Sequence, residues 1–108
     1  MTDAVFVRDG DAFVATPHAA GPWNPGLQHG GAPSALIAHA AESVPTTAPM
    51  RIARITVELM RPVPVARLTV STQVVREGRN IQLVDVRLHH EGKELTRAMV
   101  LRMRIATH

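Results

Sequence analysis

The sequence contains no cysteine, which excludes disulfide bonds and thiolate chemistry. A chain without cysteine fits a reducing compartment. It also has no apolar run that approaches the roughly 20 residues a membrane-spanning helix needs. The N-terminal residues lack the basic region and long apolar core of a secretory signal. Together these features predict a cytoplasmic protein with no membrane partner.

Aromatic residues and lysine are also scarce. Phe6, Phe13 and Trp23 are the only aromatics, which is little surface for stacking nucleic-acid bases. Lys93 is the only lysine among 12 Lys+Arg, and the arginines are spaced singly rather than in the runs typical of nucleic-acid binders. The net charge of +3 therefore favours a small anionic ligand over nucleic acid, with ordinary solubilising charge as an equally weighted alternative.

Most of the chain has the patterning of β-strands. With 108 residues, 45% of them hydrophobic, residues 1–108 fit one globular domain. Two short apolar runs flank an Asp-Gly-Asp turn and predict a hairpin. Further strands are predicted at 52–60, 67–75, 81–90 and 95–105. The last three of these have short connections and should form an antiparallel meander.

One segment, residues 32–43, predicts a helix. It holds five alanines together with Leu36 and Ile37. Pro33 lies in the first turn, where its missing N–H is tolerated, and Val44-Pro45 ends the helix. Because this helix is apolar nearly all round, we expect it in the interior. The order hairpin, helix, long strands indicates an α+β fold in which one helix covers one face of a sheet.

Three ordered motifs lie around this helix. They are Gln28-His29-Gly30-Gly31 at its start, the segment ITVELMRPVP at 55–64, and VREGRNI at 75–81. In this order they resemble the N-terminal half of the acyl-CoA thioesterase-like, double hot-dog family, from residue 13 to about residue 104. The resemblance implies a hot-dog fold: a central Ala-rich helix wrapped by a curved antiparallel sheet. It also implies a hydrolase of acyl-CoA thioesters in lipid metabolism. We expect no cofactor, and because the sequence has no cysteine and no H-x-x-x-H pattern, we expect no metal ion.

Thioester hydrolysis requires donors for the developing oxyanion and a group that activates water. Backbone N–H groups at Gly30 and Gly31, where a helix begins and no side chain blocks a ligand, are candidates for the first task. The alternative is that both glycines only permit a sharp turn from the loop into the helix. His29 could act as general base, orient the loop or a water, or be a structural histidine. Glu58 is a candidate to activate water and Asp85 a weaker one, the alternative for both being an exposed strand position.

Other residues are assigned to substrate binding. They are Trp23, Asn24 and Gln28 in the loop before the helix, and Arg76 and Arg79 at a hairpin, where guanidinium groups could meet the phosphates of coenzyme A. The alternative for the two arginines is a solvated hairpin tip.

The chain departs from the family in two respects. Double-type members carry two hot-dog domains, whereas this chain supplies one. Single-domain relatives often carry Asp or Glu at the helix position that is Ala38 here. The sequence therefore favours an acyl-CoA thioesterase-like domain, and the alternative is a non-catalytic module that binds acyl-CoA or completes an assembly. A dehydratase is disfavoured because its Asp-x-x-x-x-His pattern is absent. We expect a homo-oligomer, such as a dimer, or pairing with a second hot-dog domain, because the strand after the helix looks unprotected.

Overall fold

A computed structural model describes residues 4–10, 12–21, 24, 26–29 and 31–105. The elements are β1 (Phe6–Asp9), β2 (Ala12–Ala15), a short 3-10 helix (Pro17–Ala19), α1 (Gly31–Glu42), β3 (Met50–Leu59), β4 (Arg67–Glu77), β5 (Ile81–His90) and β6 (Lys93–Arg104). Every predicted helix and strand is present, with ends shifted by at most two residues. The short 3-10 helix was not predicted.

The strands form one antiparallel sheet in the order β1-β2-β4-β5-β6-β3. The predicted hairpin and the predicted meander of β4, β5 and β6 are both confirmed. The strand that follows the helix, β3, crosses to the far side of the meander and pairs with β6. Consequently β3, ten residues long, has one edge without a partner strand among the described residues.

Strand pleating gives the sheet two chemically different faces. The inner face, which packs against α1, carries the alternating buried residues of β5 and β6. These residues are Gln82, Val84, Val86, Leu88, Thr96, Ala98, Val100 and Arg102. The outer face carries the residues between them, most of them charged or only partly buried. In β3, Ile55 and Val57 share the inner face, as the alternation in the sequence predicts.

The expectation that α1 is buried all round is wrong for one copy of the chain. Leu36, Ile37 and Ala41 pack into the core, whereas Ala35 and His39 are exposed. The physical reason is geometric: one sheet face can cover only one side of a helix, since neighbouring positions point about 100° apart. Alanine is small and apolar on every side of the helix, so composition alone does not distinguish the covered side.

The end of α1 is held by a buried arginine. Arg102 is 5% exposed, and its Nη1 lies 3.1 Å from the Ala41 carbonyl oxygen, 2.9 Å from that of Val44 and 3.1 Å from Gln82 Oε1. Gln82 Nε2 in turn donates to the Pro45 carbonyl at 3.1 Å. These carbonyls belong to the last turn and its exit, where the regular intrahelical donors run out, and the Ala41 carbonyl also accepts the Val44 N–H at 3.2 Å. A cation at this end also interacts favourably with the helix dipole.

Replacing Arg102 should therefore destabilise the fold strongly. We expect Arg102→Met to lower the free energy of unfolding by about 3 kcal/mol, because buried carbonyl and amide oxygens lose a charged donor. Arg102→Lys should lose less, since one ammonium can still reach part of the acceptor set. Urea titration would measure both, with Arg104→Met at an exposed position as the control. Equal stability of Arg102→Met and Arg104→Met would contradict the assignment.

Candidate functional site

The loop that leads into α1 is anchored to the segment after β3. The Gln28 N–H donates to the Val63 carbonyl at 2.8 Å, and the Gln28 side-chain Nε2 donates to the Pro64 carbonyl at 2.8 Å. The Val65 N–H returns a bond to the Gly26 carbonyl at 2.9 Å. Two of the three motifs in the sequence, HGG and MRPVP, therefore meet at the start of the helix.

His29 and Gly31 are in direct contact at that start. The His29 N–H donates to the Ala19 carbonyl at 2.9 Å, and the His29 carbonyl accepts the Ala32 N–H at 3.1 Å. A Cβ on Gly31 would lie 3.2 Å from His29 Nδ1, so the imidazole rests against this glycine. The Gly31 N–H has no hydrogen-bond partner among the described residues and is exposed. It is therefore a free donor at the positive end of a helix dipole.

A cavity of about 340 Å³ lies near the start of α1 and is lined by Gln28, Pro33 and residues 59–63, while Gly31 itself is not part of its lining. Leu59 and Met60 form an apolar wall, and they are 57% and 45% exposed. Arg61 contributes a cation that was not singled out from the sequence, although it lies within the MRPVP motif. Gln28 Oε1 is buried without a hydrogen-bond partner. Because Nε2 is held by Pro64, the amide is fixed and leaves Oε1 as an open acceptor.

The structure does not bring Glu58 to this site. Glu58 lies opposite Arg97 of β6 and lines an outer-face groove, whereas α1 packs on the inner face. The alternation that puts Ile55 and Val57 inside puts Glu58 outside. A sheet therefore separates this carboxylate from the free N–H of Gly31.

The other outer-face carboxylates are engaged by arginine. Asp85 is bound by Arg87 in two contacts, Nε to Oδ1 at 3.0 Å and Nη2 to Oδ2 at 3.3 Å. The hydrogen bond and the charge of Asp85 raise the pKa of Arg87. Glu94 accepts from Arg97 Nη2 at 3.0 Å and lies 3.1 Å from Arg87 Nη1. The Arg97 hydrogen bond is the main cause that lowers the pKa of Glu94.

Arg76 and Arg79 lie at the other end of the helix. Their hairpin contacts the exit of α1, because Gln82 Nε2 donates both to the Pro45 carbonyl and to Glu77 Oε1. The 12 residues of α1 span about 18 Å. Within one chain, these arginines are therefore remote from Gly31.

The remaining predicted residues are in the loop before α1. Asn24 Oδ1 accepts the Gly26 N–H at 2.8 Å, so this side chain shapes a turn and is exposed. Trp23 and Gly30 lie outside the described residues. Of the assigned site residues, the structure thus brings together Gln28, His29 and Gly31.

Among the described residues, no group of three or more His, Cys, Asp or Glu side chains is arranged to hold a metal ion. No helix in that part of the chain is long and apolar enough to cross a membrane. His89 and His90 instead make polar contacts within the sheet, with Ser71 Oγ at 3.2 Å and the Arg67 carbonyl at 3.0 Å.

Comparison with known proteins gives a family and a fold. The sequence model of a family described as acyl-CoA thioesterase N-terminal domain matches residues 19–103. No curated protein sequence matches the chain. A Streptococcus mutans protein solved with acetyl-CoA superposes with a TM-score of 0.78 at 15% identity, over 94% of this chain and 88% of the other.

Two further solved structures agree. The E. coli PaaI protein from the phenylacetic acid degradation operon gives a TM-score of 0.75 at 19% identity, over 88% of this chain and 70% of its own. A hypothetical thioesterase protein from Streptococcus pneumoniae, solved with coenzyme A, gives 0.75 at 16% identity, over 85% and 76%. These likenesses confirm the expected hot-dog fold, with one helix against a curved antiparallel sheet.

The pKa of Glu94 gives a pH test of the outer-face network. A carboxyl whose pKa is lowered on folding stabilises the protein above its unfolded pKa, about 4.3 for glutamate, and this contribution is lost as the pH falls through the lowered folded value. We expect urea denaturation to show that Glu94→Gln is less stable than wild type at neutral pH. The difference should shrink and vanish in acid. Glu42→Gln, at an exposed helix position, is the control. A Glu94→Gln deficit that did not change with pH would contradict this linkage.

Proposed function

The chain belongs to the acyl-CoA thioesterase N-terminal domain family, and from this premise we propose that it binds acyl-CoA thioesters in the cavity at the start of α1. The observation that carries the proposal is a cavity with an apolar wall near the start of α1, lined by Gln28, whose buried Oε1 has no hydrogen-bond partner among the described residues, together with the nearby Gly31 N–H, which is also unpaired among them. The solved neighbours that hold coenzyme A or acetyl-CoA support this class of ligand.

The ligand's groups have matching counterparts in the cavity. The Gly31 N–H, reinforced by the helix dipole, would donate to the thioester carbonyl oxygen and would bind it more strongly as charge develops there. Gln28 Oε1 would accept either an amide N–H of the pantetheine arm or a hydrogen of the attacking water. Leu59 and Met60 would contact the acyl chain. Arg61, the cation in the cavity lining, would bind a phosphate of coenzyme A.

Hydrolysis needs a group that removes a proton from water, and here the chain offers little. No carboxylate among the described residues lines the cavity, and Ala38 occupies the helix position where single-domain relatives carry one. His29 is the titratable side chain that touches Gly31. We therefore propose binding with weak hydrolysis by this chain alone. Ala38 also favours the second candidate, a non-catalytic acyl-CoA-binding or assembly module in lipid metabolism.

A matched pair of variants tests the donor. Gly31→Ala adds a Cβ beside His29, while Gly31→Pro adds a similar Cβ and also removes the N–H at a helix position that tolerates proline. Calorimetry with a non-hydrolysable acyl-CoA thioether should show binding about tenfold weaker for Gly31→Pro than for Gly31→Ala, because one hydrogen bond is lost. Equal affinities of the two variants, with unchanged melting curves, would refute the donor role.

Turnover is measured separately on a panel of acyl-CoA esters. Loss of a general acid or base typically slows catalysis by about 10²–10⁴-fold, so we expect hydrolysis near background. Rapid turnover by the purified chain would contradict weak hydrolysis. If such turnover disappeared in His29→Gln, His29 would be identified as the base.

We further propose that two copies pair along the free edge of β3, which would complete a site of two hot-dog domains. The strand offers ten residues of unpaired edge, and Leu59 on its inner face is largely exposed. A strand edge of this length is a template for pairing, even though a register shift interrupts β3 between Ile52 and Arg54 and the outer face of the strand carries charged residues. The alternative partner is a second, different hot-dog domain.

The charges on β3 select one register. In an antiparallel pair, residues that lie opposite each other point to the same face of the sheet. When the two strands are copies related by a two-fold axis, one residue must therefore lie opposite its own copy, and the axis passes between these two. Only an axis at Thr56 sets Glu58 of one copy opposite Arg54 of the other on the outer face. The same register sets Val57 opposite Ile55 on the inner face. An axis at Arg54 would instead oppose two arginines.

Charge reversal tests this register. Arg54→Glu should weaken the dimer about tenfold, since two symmetric cross-strand pairs become repulsive at up to about 1 kcal/mol each. The double variant Arg54→Glu/Glu58→Arg should recover part of the affinity. Sedimentation measures the dissociation constants, and Lys93→Glu, at the start of β6 and opposite His90 of β5, is the control. A wild-type chain that stays monomeric at micromolar concentration would rule out the homodimer.

A further inference from the structure

The outer face of the sheet is divided by charge into two halves. Toward the β5–β6 turn, Asp85, Arg87, Glu94 and Arg97 form a connected set of ion pairs. Toward the β4–β5 turn the character changes, because the outer positions of β5 and β6 become apolar. Each half is two to three residue pairs long in the sheet register.

The apolar half has a defined shape. In the register, Ile81 lies opposite Met103 and Leu83 lies opposite Leu101. We name these four side chains the outer patch. Met103 is 43% exposed, and the other three are partly buried. The patch is two strands wide and has no element of this chain packed over it among the described residues.

Arginines flank the outer patch on both sides. Arg51 of β3 lies opposite Met103, and Arg76 of β4 lies opposite Leu83. Both are exposed, and neither forms an ion pair within the described part of the chain. The nearby carboxylate, Asp85, is already bound by Arg87. The patch therefore has an apolar centre between two uncompensated cationic borders.

We propose that the outer patch binds an amphipathic helix of a partner protein, whose apolar stripe is bordered on both sides by carboxylates. From β3 to β4 the sheet spans three strand spacings, about 14 Å. A helix with its side chains is about 10–12 Å wide, so it fits along the strands between the two arginines. Its apolar stripe would cover the outer patch, and its carboxylates would pair with Arg51 and Arg76.

Charge and shape favour this occupant over two others. A second copy stacked patch to patch would place arginines near arginines, which is repulsive. A lipid surface requires apolar groups that reach below the headgroups, by about 5–10 Å. Ile81, Leu83 and Leu101 are partly buried in a sheet face, whereas the arginines beside them are exposed.

The test uses a labelled helical peptide of about 15 residues, roughly four turns, with leucines at i, i+3, i+4 and i+7 between two rows of glutamate. A matched peptide carries lysine in place of glutamate. Fluorescence anisotropy with the full chain should show binding of the glutamate peptide that weakens with salt. Arg51→Glu/Arg76→Glu should reduce its affinity at least tenfold. The control Arg8→Glu/Lys93→Glu makes the same change in net charge elsewhere and should leave the affinity unchanged.

The apolar contact is tested in parallel. Met103→Gln should weaken binding, whereas Val7→Gln on β1, at 41% exposure, should not. The proposal is overturned if the glutamate peptide does not bind, or if both peptides bind alike. It is also overturned if the arginine reversals have no effect on the affinity. Binding to phosphatidylcholine vesicles containing phosphatidylserine that is lost in the arginine variants would assign the patch to lipid. If light scattering showed that Met103→Gln has half the particle mass of wild type, the outer patch would be assigned to contact with a second copy of the chain.

Discussion

The buried guanidinium of Arg102 fixes how the helix lies on the sheet. Removing this charge from water is costly, and no carboxylate among the described residues pairs with it. Carbonyl oxygens at the helix exit and the Gln82 amide supply the compensation. Arg102 Nε remains without a partner, so the compensation is incomplete. The contact works only if the last turn of α1 stops directly above β5 and β6, and this requirement sets the position of the helix along the strands.

Fixing one end of α1 in this way also determines what lies at the other end. The helix begins beside the segment that follows β3, because Gln28 is bonded to Val63 and Pro64 there. The two ends thus have opposite chemistry. The exit is closed by a cation and backbone bonds, while the start keeps the Gly31 N–H and Gln28 Oε1 unpaired beside a cavity. Unpaired polar groups cost stability, and Arg102 Nε at the exit is one as well; what distinguishes the start is the cavity lined by Gln28, which fits a ligand site.

Local sequence patterns predicted the elements well and the site in part. Alternation in β3 and β5, the N-terminal hairpin and the Ala-rich helix are properties of neighbouring residues, and all were recovered. The crossing of β3 to β6 depends on which strand edges meet in space, and no local pattern carries it. Arg102 was missed because a single arginine in a strand suggests solvent. The sequence did contain an indication: Arg102 follows Ala98 and Val100 at intervals of two residues, and both of these side chains point inward.

The same alternation explains why binding groups and acidic groups are separated. Successive residues of a strand point to opposite faces of the sheet. Glu58 and Asp85 therefore lie on the outer face, while Ile55, Val57 and Val86 face the helix. Outside, arginine holds Asp85 and Glu94 as ion pairs. To bring a carboxylate to the helix start, a sequence would need it on the helix itself, where Ala38 stands, or on another chain across the β3 edge. In this fold, the groups that polarise a thioester and the group that activates water can therefore be gained or lost independently.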